Sequence, residues 1–352
     1  MTDPLVRLCG GLLMVGIRGA EPGDAQVERD LERCRLAGVR SIVLFDRDLA
    51  SGGSPRSRNI VSPEQVRRLT DRVRAVLGEG VRIAVDQEGG RVARLNETNA
   101  HERGISPLDF AALDEQSQAR AAMLQAEQLK RAGIDWNLAP GVDLQFPGSG
   151  SLIEQHARSY GTDPDTVIRC ARVVVDAHRD AGILSCLKHF PGHGSAPGDT
   201  HDQLLDITGC HTERELEPFR ELLSRRDASA SLALMTAHLL HKAIDPDRPV
   251  SLSASWTRVI RDRFGFDGVI VTDALDMGAI AKRYPPMEAI LAATDAGADL
   301  LLLANNMPDR SAELDPLEAA RAIAQAVHSG SIEGGETRIR TSLERIDRFF
   351  AF

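Results

Sequence analysis

The chain has 352 residues, 42% of them hydrophobic and 26% charged, which is enough apolar material to bury a substantial core. A net charge of −9 leaves no excess positive field for a phosphate backbone or an anionic lipid surface, which argues against nucleic acid and membrane as partners. Five cysteines (Cys9, Cys34, Cys170, Cys186, Cys210) form no CxxC or Cys/His cluster and read as reduced, mostly buried thiols rather than a disulfide framework.

The start, Met1 to Pro4, lacks a basic region, and the apolar run Leu12 to Ile17 is short and broken by glycine, so a cytoplasmic protein is expected. Eight apolar runs rich in Val, Ile and Leu then recur along the chain: Gly10 to Ile17, Ser41 to Phe45, Arg82 to Val85, Ile134 to Leu138, Ile183 to Leu187, Leu232 to Thr236, Gly268 to Thr272 and Asp299 to Ala304. Between them lie charged segments of helical period: Asp24 to Ala37, Pro63 to Leu77, Leu113 to Ala132, Pro164 to Ala181, Glu213 to Ser224, Ala254 to Arg263 and Met287 to Ala296. Glu318 to His328 and Glu336 to Phe350 close the series. Strands alternating with helices build a parallel sheet, and eight is the number that closes a single (β/α)8 barrel of the triosephosphate isomerase type. No Pro/Gly/Ser linker divides the chain, so one α/β domain is expected over residues 1–352. The polar, Gly/Pro-rich stretch Arg47 to Ile60, containing SGGSPRSR, reads as a mobile surface loop before a binding lid, although its place after the second strand faces the barrel mouth.

In such barrels the functional groups stand at the carboxyl ends of the strands. The third run leads into Asp86, Gln87 and Glu88, bringing two carboxylates and an amide to the mouth, and Gly89 and Gly90 permit a sharp turn. Pairing with Arg91 or Arg94 is the alternative to direct function; for Glu88 the two readings balance, while Asp86, first past the strand, reads as a binder of sugar hydroxyls. The fourth run leads through WNLAPGVDL to Arg158, a forked donor for hydroxyls or a carboxylate, or equally a structural ion pair. The fifth ends in KHFPGHGSAPGDTH. Its His189 and His193 have the spacing of a helical zinc pair, but Pro191 and Gly192 break the helix and no HExxH glutamate accompanies them, so neither metal nor other cofactor is expected. Asp199 and His201, two apart on an extended loop, point the same way; a carboxylate on one ring nitrogen leaves the other to exchange a proton near neutral pH. Alone, a DTH string is more often surface decoration than catalysis. The sixth run places His238 at the rim, and the seventh ends at Asp273, with Asp276 one turn on in an expected helical segment. Asp273 is either a helix cap or a carboxylate nucleophile aimed at an anomeric carbon.

Taken in order, DQEGGRV, KHFPGHG followed by Asp199-x-His201, TAH at residues 236–238 and the strand-end TDALDM resemble glycoside hydrolase family 3, and specifically its bacterial single-domain β-N-acetylglucosaminidase (β-hexosaminidase) branch. The likeness runs from GLLMVGIRG at residues 11–19 to AGADLLLLAN at residues 296–305. It implies double displacement through a covalent glycosyl-enzyme, with Asp273 as nucleophile, His201 as acid/base, Asp199 orienting His201, and Asp86, Arg158, Lys188 and His189 holding the sugar. It also implies a small GlcNAc-containing substrate, such as a peptidoglycan fragment. Family members acting on glucosides or xylosides usually take the acid/base carboxylate from a second domain, for which this length leaves no room, so the DTH segment is the expected supplier.

Two departures stand out: Ala274 follows Asp273 where the family often has a second acid, and the Arg47 to Ile60 loop is long. Aromatic residues make up only 4%, which gives few stacking platforms for an extended polymer. Competing readings are a β-GlcNAc phosphorylase on the same scaffold, a family 3 β-glycosidase of other specificity, a non-catalytic sugar-binding barrel, and a metal hydrolase using His189, His193 and His201.

Overall fold

A computed structural model describes residues 3–49, 56–200, 203–225, 228–307 and 313–352. Eight parallel strands form its centre: β1 Leu13–Gly16, β2 Ser41–Leu44, β3 Arg82–Val85, β4 Trp136–Asn137, β5 Leu184–Phe190, β6 Leu232–Thr236, β7 Val269–Thr272 and β8 Leu301–Leu303. Neighbours pair in chain order from β1 to β7, β8 returns to pair with β1 (Leu13 beside Leu301), and the ring is closed by a bridge between Val271 and Leu300. Strands covered on both faces can be apolar at every position, and β1, β2, β6 and β7 are buried throughout. Each Val, Leu or Ile buried in this way contributes roughly 1.5–3 kcal/mol of hydrophobic stabilisation.

The helices surround the ring where the sequence places them. Pro63–Leu77 and Pro164–Ala181 begin at the expected residues because each opens with a cap followed by proline: Ser62 accepts the Gln65 N–H and Asp163 the Thr166 N–H. Elsewhere the structure departs from expectation. The first run loses its start to a short helix, Pro4–Gly10, too brief to show a period. The expected helix Leu113 to Ala132 runs over Glu115–Arg131, its start set by the Asp114 side chain, which accepts the Ser117 N–H, and a separate short helix, Pro107–Ala111, precedes it. Ala254 to Arg263 finishes in a wider π turn at Val259–Arg263. No helix among the described residues is long and apolar enough to cross a membrane.

The stretch Arg47 to Ile60 is anchored at both ends rather than loose. Arg47–Asp48 pairs antiparallel with Arg56–Ser57, and Arg58 and Asn59 are buried. Arg58 donates to the carbonyls of Ile17, Ala304 and Asn305, which ties the loop to the ends of β1 and β8. Residues 50–55, the centre of that stretch, lie outside the described residues.

Candidate active site

The ends of β2, β3, β5, β7 and β8 bring Asp46, Asp86, Lys188, Asp273 and Asn306 to the same mouth. Past β3, Asp86 precedes a tight hairpin, Gln87–Gly89 against Val92–Ala93, turned by Gly89 at φ 104°. No side chain fits at Gly89, since a Cβ there would lie 2.0 Å from the Ile105 carbonyl oxygen. The hairpin decides which of three neighbouring polar residues reach the site. Gln87 does not: its amide closes on the Leu95 main chain, donating to the carbonyl at 2.8 Å and accepting the N–H at 3.0 Å, so the expected third polar group is structural. Asp86 and Glu88 turn toward the mouth.

Those two acids belong to a continuous network with the end of β5. Lys188 Nζ lies 2.7 Å from Asp86 Oδ1 and 2.8 Å from Glu88 Oε1. Arg158 grips Glu88 with two donors, at 2.8 and 2.7 Å, and its Nη2 lies 3.1 Å from His189 Nε2. On its other side His189 Nδ1 donates to Asp143 Oδ2 at 2.8 Å, which fixes the tautomer and leaves Nε2 to accept from Arg158. The expected partners of the two acids were Arg91 or Arg94; Arg94 does reach Asp86 at 3.3 Å, but Lys188 and Arg158 are the principal ones. Burial alone would raise both carboxyls, yet the cations outweigh it: Lys188 and Arg94 bring Asp86 down to about 2, and Arg158 and Lys188 hold Glu88 well below the usual range. Arg158 therefore forms the ion pair with Glu88 and also lines the mouth.

The opposite side is held through the main chain. Asp273 directly follows β7; its N–H donates to the Thr236 carbonyl at 2.9 Å and its Oδ1 accepts the Ala274 N–H at 2.8 Å. That contact closes on the adjacent residue, so the helix-cap alternative is not what the structure displays. Asp276 lies in a turn rather than the expected helix, buried, accepting the N–H groups of Ala304 and Asn306 at 3.2 and 3.1 Å. His238 is buried behind this turn, with Nδ1 on Ser251 Oγ at 2.7 Å and Nε2 on the Ala274 carbonyl at 2.8 Å, so it braces the segment that carries Asp273.

The loop after β5 completes the ring. Asp143 accepts the N–H of His193 at 2.7 Å, and His193 Nε2 lies 3.1 Å from Thr200 Oγ1. Burial pushes the His193 ring down to about 4, so it is neutral at physiological pH and already committed to the loop. The Thr200 carbonyl accepts the Ala279 N–H at 3.2 Å, tying the loop to the segment beyond Asp273. Asp199 sits on this loop; His201, the expected acid/base, lies outside the described residues.

Asp86, Arg158, Lys188, His189, Asp199 and Asp273 all line one cavity of about 870 Å³, with Glu88, His193 and Thr200 among them. Among the described residues, no three or more His, Cys, Asp or Glu side chains gather into a metal-binding group. Sequence reasoning passed over Asp143, although it lies in the quoted WNLAPGVDL string five residues past Leu138; a search of acids beyond the fourth strand as close as that beyond the third would have found it. What the mouth offers is a strand-end carboxylate beside a wall of oriented donors and acceptors, a setting for displacement on a polyhydroxylated substrate.

Fold and site together define a barrel hydrolase. The chain belongs to glycosyl hydrolase family 3, whose N-terminal domain profile matches residues 25–349. It is similar to a β-hexosaminidase of Alkalilimnicola ehrlichii, 38% identical over 84% of this chain and 81% of that protein. A β-hexosaminidase of Tolumonas auensis is 34% identical over 88% of this chain and 87% of its own length. Among solved structures, a family 3 β-N-acetylglucosaminidase from Paenibacillus sp. str. FPU-7 superposes with a TM-score of 0.82 at 32% identity, covering 99% of this chain. This chain spans 62% of that longer protein.

Proposed function

We propose that the chain is a retaining exo-β-N-acetylglucosaminidase that removes terminal β-linked GlcNAc from small peptidoglycan fragments in the cytoplasm, with the whole site carried by the one barrel. The observation that carries this reading is the shared cavity: Asp273 at the end of β7 lines the same space as Asp86, Arg158, Lys188 and His189. In the first step the Asp273 carboxylate attacks the anomeric carbon and the glycosidic bond breaks, while His201 gives its proton to the leaving oxygen. In the second, His201 takes a proton from water, which attacks the same carbon and frees Asp273. Asp199 orients His201 and favours its cationic form. The paired wall holds the sugar hydroxyls in fixed directions, because Asp86, Lys188 and Arg158 are already locked by oppositely charged neighbours and His189 by Asp143 and Arg158.

The test is release of nitrophenol from an aryl β-GlcNAc, with and without phosphate and chelator, followed by intact-protein mass analysis with a slow 2-fluoro or 5-fluoro glycosyl substrate. Activity independent of phosphate and chelator, with the sugar label on Asp273, is the expected result. A label on another residue, or a sugar phosphate as product, would overturn it.

A further inference from the structure

Glu215 is a buried acid outside the mechanism above, and burial pushes its carboxyl up to about 7. It lies on the short 3-10 turn Glu213–Leu216, outside the cavity, yet it faces the loop that follows β5. Its Oε2 accepts the N–H of Ser195 at 3.2 Å and its Oε1 that of Thr212 at 3.2 Å. Gly192 rests directly on it, leaving no room for a side chain: a Cβ there would meet Glu215 Cβ at 2.7 Å. Gly194 is pressed as tightly onto the Leu144 carbonyl, and the His193 N–H between them is held by Asp143. The first half of the loop is thus clamped from two sides by carboxylates accepting main-chain N–H groups, four residues before Asp199.

We propose that Glu215 is a positioning residue for proton transfer: by holding Ser195 N–H and the floor under Gly192 it fixes the course of the loop that leads to Asp199. The inference rests on the reading of His201 as the acid/base. Asp143 takes the His193 N–H and the His193 ring reaches Thr200 Oγ1; Glu215 adds the hold on Ser195 between those two anchors. A misplaced loop would leave sugar binding intact, since the wall is fixed by its own charge pairs, and would cost only the step that needs the proton.

The experiment measures single-turnover glycosylation across aryl β-GlcNAc substrates of rising leaving-group pKa for the unmodified enzyme, His201→Ala, Glu215→Ala, Glu215→Gln and Thr212→Ala. Glu215→Ala removes both acceptors; Glu215→Gln keeps the volume and removes one. Both are expected to steepen the dependence on leaving-group pKa and to lose about 10- to 100-fold on the poorest leaving group with little change in KM, a part of the ~10²–10⁴ that general acid/base catalysis supplies. Thr212→Ala weakens the cap of the same turn without touching the loop, so it should lower the melting temperature and leave the slope unchanged. A steep His201→Ala with a folded Glu215→Ala of unaltered slope overturns the role of Glu215 alone. Should Glu215→Ala not fold, an unaltered slope in Glu215→Gln does the same. A His201→Ala of unaltered slope sinks both this inference and the acid/base assignment beneath it.

Discussion

The two halves of the mouth are held in place by different forces. On the side built by β3, β4 and β5, Asp86 and Glu88 pair with Lys188 and Arg158 charge against charge, and Asp143 holds His189 by a hydrogen bond. On the side of β7 and the Asp199 loop, carboxylates and carbonyls take main-chain N–H groups: Asp273 from Ala274, Asp276 from Ala304 and Asn306, Thr200 from Ala279, Glu215 from Ser195 and Thr212. A salt-bridged wall keeps one geometry and one charge state, which suits binding. On the proposed mechanism Asp273 changes charge during turnover, and a main-chain N–H on its Oδ1 is compatible with both states.

The comparison can be broken most sharply at Asp273. Replacing it by Asn should abolish steady-state turnover while circular dichroism and GlcNAc binding stay close to those of the unmodified protein, because Asn keeps the side-chain volume, an Oδ1 acceptor for the Ala274 N–H and the main-chain bond to Thr236. A variant that unfolds would place Asp273 in the supporting structure instead. The reverse pattern belongs to the wall: Lys188→Met leaves Asp86 and Glu88 buried side by side, and removing one member of a buried ionic set costs ~3–5 kcal/mol. Denaturant titration should find that loss, and GlcNAc binding should weaken with it.

The two regions should also respond to pH with opposite signs. Glu215 is raised in the fold from 4.5 to about 7, so its contribution is fully present below pH 4.5 and is lost as pH rises through 7, a change on the order of 3 kcal/mol. Measured against Glu215→Gln, the unmodified protein should therefore lose relative stability between pH 4.5 and 8, and a pH-independent difference would contradict the buried placement. Asp86 is lowered from 3.8 to about 2, so its contribution is present above pH 4 and is lost as pH falls through 2, worth about 2 kcal/mol. Asp86→Asn should accordingly differ most from the unmodified protein near neutrality, with the gap closing in acid; this is the smallest effect of the set.

Much of this was legible in the chain. Period and punctuation placed all eight strands within a few residues, because a strand buried on both faces must be apolar throughout and a helix opened by a cap and proline announces its first residue. Position after a strand then singled out Asp86 and Asp273, since in a parallel barrel the strand end decides which residues reach the mouth, while Lys188 and His189 came from the motif they share with the family. Tertiary structure alone decided which of those groups are partners. The Lys188–Asp86 pair spans 102 residues and the Arg158–Glu88 pair 70, distances over which sequence carries no local signal. It also decided that Gln87 faces inward while Asp86 and Glu88 face the mouth, because the Gly89 turn rotates the hairpin against Ile105. Glu215 was hidden for the same reason: a glutamate in a charged, helix-period segment reads as solvated until the fold lays Gly192 over it and takes away its water.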